Sequence, residues 1–163
     1  MGFLDKVKHF AGGHGVTAAI TSVERQDVDS PSFPLTDSVM KFQVTVTAEK
    51  DVTILSHSFS VHAERLDEEN PRLIEVAEDV HDESVDIIGG DLKWPYELAA
   101  GQTVEDGCCI TDVDLAASLA KMDVSDPESV VDDPGYRFYV QFTADVKGSP
   151  MDPDDKVDIK LTV

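Results

Sequence analysis

The chain has 163 residues, and its 33 Asp and Glu against 13 Lys and Arg give a formal charge of −20 and a pI near 4.3. A field of that sign repels phosphates and anionic headgroups, which disfavours general binding to nucleic acid or to acidic membranes. Hydrophobic residues at 41% and charged residues at 28% are values of a globular chain, and the length predicts one domain over residues 1–163.

Phe3, Leu4, Val7 and Phe10 recur at helical spacing. They predict an amphipathic helix over 1–11, which the glycines of Ala11-Gly12-Gly13-His14-Gly15 stop. The same stretch lacks the continuous apolar run of a signal peptide, and Lys6 stands where a myristoylation signal needs Ser or Thr. Val16 to Glu24 reads as a strand with Val16, Ala18 and Ile20 on one face. Pro31 and Pro34 make Asp27 to Ser38 a loop.

The clearest signal lies between Val39 and Ala63. Met40, Phe42, Val44, Val46 and Ala48 alternate with polar residues. After Glu49-Lys50-Asp51, Leu55, His57, Phe59, Val61 and Ala63 alternate with Ser56, Ser58, Ser60, His62 and Glu64. Two such runs around a short polar turn predict an antiparallel hairpin with one apolar face and one wet face.

Asp67 to Pro71 is a turn, and Leu73 to Val80 is ambiguous between strand and helical turn. Ser84 to Ile88 reads as a strand, and Pro95 marks the Trp94–Leu98 segment as an edge or a bend. Thr103 to Ile110 is the next strand. Leu115, Leu119 and Met122 predict a helix near residues 114–121, and an acidic loop follows from Asp123 to Gly135. Tyr136 to Val146 alternates cleanly, and so do Val157, Ile159, Leu161 and Val163. About 7–8 strands with two short helices describe an all-β, antiparallel sandwich.

Chemistry-bearing residues do not converge in this pattern. His57 and His62 lie on opposite faces of one strand, and His57 reads as a satisfied buried imidazole. His9, His14 and His81 have no ligand spacing. Cys108 and Cys109 are adjacent, so they neither bridge comfortably nor complete a zinc site, and both read as small buried residues. Asp152, Asp154, Asp155 and Asp158 have no EF-hand order and read as a solvated turn. Asp132-Asp133-Pro134-Gly135 reads likewise as a turn. The Ser56, Ser58 and Ser60 series lacks a nucleophile elbow. No catalytic, cofactor-binding or metal residue is therefore assigned. The acidity reads as a heavily solvated surface, or more sharply as a surface that docks a basic partner.

Three stretches together resemble one family. Met1-Gly2-Phe3-Leu4-Asp5-Lys6-Val7-Lys8, the paired strands of Val39–Glu64, and Trp94-Pro95-Tyr96-Glu97-Leu98-Ala99-Ala100-Gly101 are similar to segments of bacterial sporulation-control proteins of the SpoOM family. That resemblance implies an arrestin-like or immunoglobulin-like β-sandwich. It also implies a non-enzymatic adaptor or regulator that acts through protein contacts, with no cofactor expected. No run of about 18 apolar residues offers a membrane span, so with no signal-peptide run the expected place is the cytoplasm, without stable membrane insertion. Partner identity and oligomeric state stay open. The rival reading is a calcium- or metal-binding sandwich module that uses the Asp-rich loops.

Overall fold

A run that alternates every second residue can bury one face only if a second layer covers it. The computed structural model supplies that layer with two facing β-sheets, and it describes residues 15–25, 32–36, 38–84 and 92–163. The expected helix over 1–11 and most of the expected strand at Ser84–Ile88 lie outside these residues.

The first sheet contains β1 (Val16–Arg25), β3 (Ser38–Ala48) and β7 (Thr103–Val113), antiparallel in the order β1-β3-β7. The second runs β5 (Arg72–His81), β4 (Val52–Arg65), β8 (Tyr136–Val146) and β9 (Asp154–Asp158), and β6 (Tyr96–Leu98) also pairs with β4. β2 (Ser32–Pro34) and β10 (Lys160–Thr162) form a short parallel pair. The sandwich is otherwise antiparallel, and β2 falls inside the stretch expected to be all loop.

The predicted hairpin of Val39–Ala63 does not form. β3 pairs with β1 and β7, and β4 pairs with β5, β6 and β8, so the two strands lie in opposite sheets. Period-two alternation decides which side chains face the core; it does not decide which strand lies alongside. The end of β3 is already engaged, because Ala48 donates to Gln102 and accepts from Gly101. Glu49 donates to Gly15, and Asp51 accepts the Ala100 amide at 2.9 Å, so the connection crosses to the other layer.

Side chains from both layers meet between the sheets. Phe42 of β3, Phe59 of β4 and Phe142 of β8 are fully buried, with ring centroids 6.1 Å apart for Phe42–Phe59 and 5.2 Å for Phe59–Phe142. A register shift between Ile54 and Ser56 changes the phase of β4. It buries Ile54 in place of the expected Leu55 and leaves His57 in phase with the core. Leu73–Val80 resolves as strand β5, while Val163 is exposed.

The helix α1 (Leu115–Ala120) forms where leucine spacing predicts it. The Asp114 carboxylate accepts the Ala117 amide at 2.9 Å and so caps an otherwise unsatisfied first turn. Leu115, Leu119 and the following Met122 are fully buried, and the Arg65 guanidinium donates to the Met122 carbonyl. Within the acidic loop, Pro127–Val130 makes one 3₁₀ turn and buries Val130.

Polar links join the sheets at both lateral sides. On one side a bulge between Ile20 and Ser22 frees the Ile20 amide, which donates to Asp155 Oδ2 at 2.8 Å. The other side is closed by a histidine–aspartate chain.

Candidate functional site

β5 and β6 both lie along β4, on the edge opposite β8. β5 stops with His81 opposite His57, and β6 starts with Tyr96 opposite Ile54. Among the described residues no strand pairs with β4 on this edge between Ile54 and His57. Trp94 and Tyr96 pack beside His57, with ring centroids 4.7 and 5.6 Å from it. Phe142 lies below it at 5.0 Å.

His57 is fully buried, and both of its ring nitrogens are engaged. Nδ1 is 2.7 Å from Asp106 Oδ2 of β7, and Nε2 is 2.7 Å from the Tyr96 hydroxyl. An ionised carboxylate only accepts, so Nδ1 carries the proton, and a neutral His57 accepts from Tyr96 at Nε2. His81 Nδ1 donates to the same Asp106 oxygen at 3.0 Å, and its Nε2 lies 3.4 Å from Asp79. Asp106 Oδ1 accepts the Gly107 amide at 2.8 Å. The chain therefore reads Tyr96–His57–Asp106–His81–Asp79, drawn from four strands and both sheets.

Electrostatics assign the charges. Burial holds the His57 pKa below its ordinary value, against the pull of Asp106. The hydrogen bond to Asp106 raises His81 above its ordinary value, with burial opposing and Asp79 assisting. Burial would push the Asp106 carboxyl up, but donation from His57 and His81 holds it well below the usual carboxylate range. Burial, followed by the Asp106 charge, makes the Tyr96 phenol harder to ionise. These directions favour a neutral His57 beside an Asp106 anion, and they favour the charged form of His81 more than in a free imidazole.

These shifts predict how the chain's contribution to stability follows pH. The raised His81 value gives a contribution complete below 6.5 and lost as pH rises through the folded value. The depressed His57 value gives one present above 6.5 and lost as pH falls through its folded value. The depressed Asp106 value gives one present above 3.8 and lost at lower pH. Together they place the optimum of this cluster near 6.5. Urea midpoints measured between about pH 4 and 9 should fall on both sides, and His81→Gln should flatten only the alkaline limb.

The structure confirms His57 as a satisfied buried imidazole, and it places His81 at the end of β5, sharing its carboxylate with His57. Asp106 and Tyr96 were not singled out from sequence. Asp106 nonetheless follows the inward register of Val104, Cys108 and Ile110 along β7, an acid in an apolar phase. Cys108 is buried, and burial raises its thiol pKa, while Cys109 is exposed, against the expectation that both are buried.

The four acids of the expected turn act separately. Asp152 accepts the Val146 amide, Asp154 accepts from Gln141, Asp155 serves Ile20, and Asp158 pairs with Arg137 at 2.6 Å. Among the described residues no group of three or more His, Cys, Asp or Glu is placed to hold a metal ion. His62 faces away from His57, but its surroundings are not wet. It is 8% exposed, stacks on Tyr139 at 4.9 Å, and bonds Ser60 at 2.8 Å. Arg137 and Lys156 lie over the same Tyr139 ring. A cavity of about 610 Å³ opens at the end of the sandwich between Lys50, Thr53, Glu97, Val146 and Lys147, and no member of the histidine chain lines it. Among the described residues no helix is long and apolar enough to cross a membrane.

No family model and no curated protein matches this sequence. Among solved structures, Spo0M, the sporulation control protein from Bacillus subtilis, is similar with a TM-score of 0.59 and 9% identity. The match covers 91% of this chain and 50% of that one, so the chain spans about half the length of Spo0M. The C-terminal domain of Wzt follows at a TM-score of 0.46 and 14% identity, covering 90% of this chain and 74% of that one. AT1g01470 from Arabidopsis thaliana gives 0.46 and 15%, with 90% and 82% covered. What the Spo0M likeness establishes is the fold: an arrestin-like β-sandwich.

Proposed function

We propose that this chain is a regulatory protein without catalytic activity, and that it grips a protein partner at the open edge of β5. The observation that carries this reading is the edge itself. β5 has ten residues, and among the described residues its only ladder partner is β4. The outer side of such a strand presents unpaired N–H and C=O groups, a template for an added strand. Leu73 on β5 is 58% exposed, and Leu66 beside it is 48% exposed.

The non-catalytic part of the reading is supported by the histidine chain. Its best-partnered imidazole has no exposed surface, and its phenol is held protonated, so neither is presented to a substrate. The regulatory part draws on the fold shared with a protein described as a sporulation control protein. Two unpaired thiols suit a reducing compartment, and we place the action in the cytoplasm. The net charge of −20 disfavours nucleic acid and anionic membranes as partners.

The test is a photo-crosslinking side chain introduced at Leu73 and, separately, at Lys156 on the far edge of the same sheet. Irradiation in cells should give a discrete adduct with another protein from position 73 and none from position 156. Equal labelling from both positions, or none from either, would contradict the reading.

A further inference from the structure

We infer that the β5 edge receives a partner strand carrying a basic side chain, and that Glu75 and Glu78 are the residues that hold it. This inference rests on the edge reading above. In a regular strand, residues three apart point to opposite faces. β5 is irregular here: its pairing with β4 passes from His62↔Glu75 to Val61↔Ala77, leaving Val76 as the extra residue of a bulge. The bulge turns Glu75 and Glu78 onto one face, opposite His62 and Ser60. There burial, and then the Glu75 charge beside it, raise the Glu78 pKa above its ordinary value.

Two acids brought together by a bulge call for a cation, and among the described residues no Lys or Arg forms an ion pair with them. Arg72 pairs with Asp123, Arg65 is committed to the Met122 carbonyl, and Lys156 lies over Tyr139. Between residues 64 and 83 the sequence carries nine carboxylates and only these two arginines.

A second observation points the same way. His62, in register with Glu75, buries its Nδ1 without a hydrogen-bond partner. An unpartnered buried nitrogen beside an unneutralised acid pair marks a polar site lacking a component. The described residues place no metal-binding group there. A guanidinium fits better, since its planar fork can donate to both carboxylates at once. Leu73 and Val80 flank the acid pair on the same face, so apolar side chains on either side of the basic one complete the match. The partner is thus an extended segment with alternate apolar residues around a central Arg.

The test uses the whole protein, isotope-labelled for NMR, and a short synthetic peptide alternating Thr with Val around a central Arg. Binding should shift the amides of Leu73 to Val80. Replacing the peptide's Arg with citrulline, or the protein's acids by Glu75→Gln with Glu78→Gln, should weaken binding about tenfold or more. The control pair Asp126→Asn with Glu128→Gln removes the same charge from the 3₁₀ turn and should change affinity less than about twofold. Both Gln side chains retain the size of Glu, and circular dichroism checks that the fold is kept.

No binding at millimolar peptide, equal binding of the citrulline peptide, or shifts confined to other strands would overturn the inference. A partner crosslinked from position 73 through an uncharged or acidic segment would overturn this chemistry and leave the edge reading standing. Failure of both experiments would remove both.

Discussion

Replacing Asp106 with Ala is expected to lower the free energy of unfolding by about 3–5 kcal/mol, the range seen when one partner of a buried ion pair is removed. The carboxylate accepts from His57, His81 and the Gly107 amide together. Without it, the fully buried His57 keeps an Nδ1–H that meets no acceptor, and His81 loses the carboxylate that stabilises its charge. The damage should also spread between layers, because Asp106 is on β7 while both histidines are on the opposite sheet. Asp106→Asn, which keeps an acceptor but not the charge, should fall between Ala and wild type. Urea unfolding of the three proteins checks the order, with an unchanged m-value showing that the same surface is exposed in each. An Asp106→Ala loss under about 1 kcal/mol would mean that the cluster does not tie the sheets together.

Phe59→Ala is expected to cost about 3–5 kcal/mol, as large-to-small changes at buried aromatic positions do. Phe59 has no exposed surface and contacts Phe42 from the facing sheet and Phe142 from its neighbouring strand. It also underlies the polar cluster, with its ring centroid 5.0 Å from His81 and 6.4 Å from His57. The cavity left behind would give the imidazoles room to move and water a route to the Asp106 anion. Two measurements separate these effects: the urea midpoint reports the packing loss, and the NMR titration of His57 should move back toward 6.5 as burial is relieved.

The two changes act on features that were unequally visible in the amino-acid pattern. The inward faces of β3, β4 and β8 follow directly from alternation, because an apolar residue at every second position has one consistent way to leave water. The helix at Leu115–Ala120 was equally plain, since Asp114 supplies its cap and the leucines supply its buried side. Strand neighbours were not visible. Met40–Ala48 and the run through Ala63 carry the same pattern whether they lie side by side or face to face, and they lie face to face. Bulges were hidden for a related reason: a one-residue shift in register leaves no mark on composition. Such shifts bury Ile54 in place of Leu55 and bring Glu75 beside Glu78.

The histidine cluster was half legible. His57 stood out as polar in an apolar phase, and a buried imidazole requires partners. Those partners lie 24, 39 and 49 residues away along the chain, at His81, Tyr96 and Asp106. Only the fold brings them together, from four strands and both sheets. The wet face of β4 was misread because long neighbours close over it: Tyr139 stacks on His62, and Arg137 and Lys156 lie across that ring.

Amide hydrogen exchange along β5 tests the central claim, an edge open to a partner strand, most directly. In the free protein, amides of β5 that point outward should exchange near the rate of local fraying, in alternation with slower ones bonded to β4. The amides of β4 and β8 should exchange only through global unfolding. Adding the Arg-centred peptide should slow the fast set on β5 and leave β9 unchanged. Uniform protection of β5 in the free protein, as slow as β4, would show the edge already covered and contradict the account.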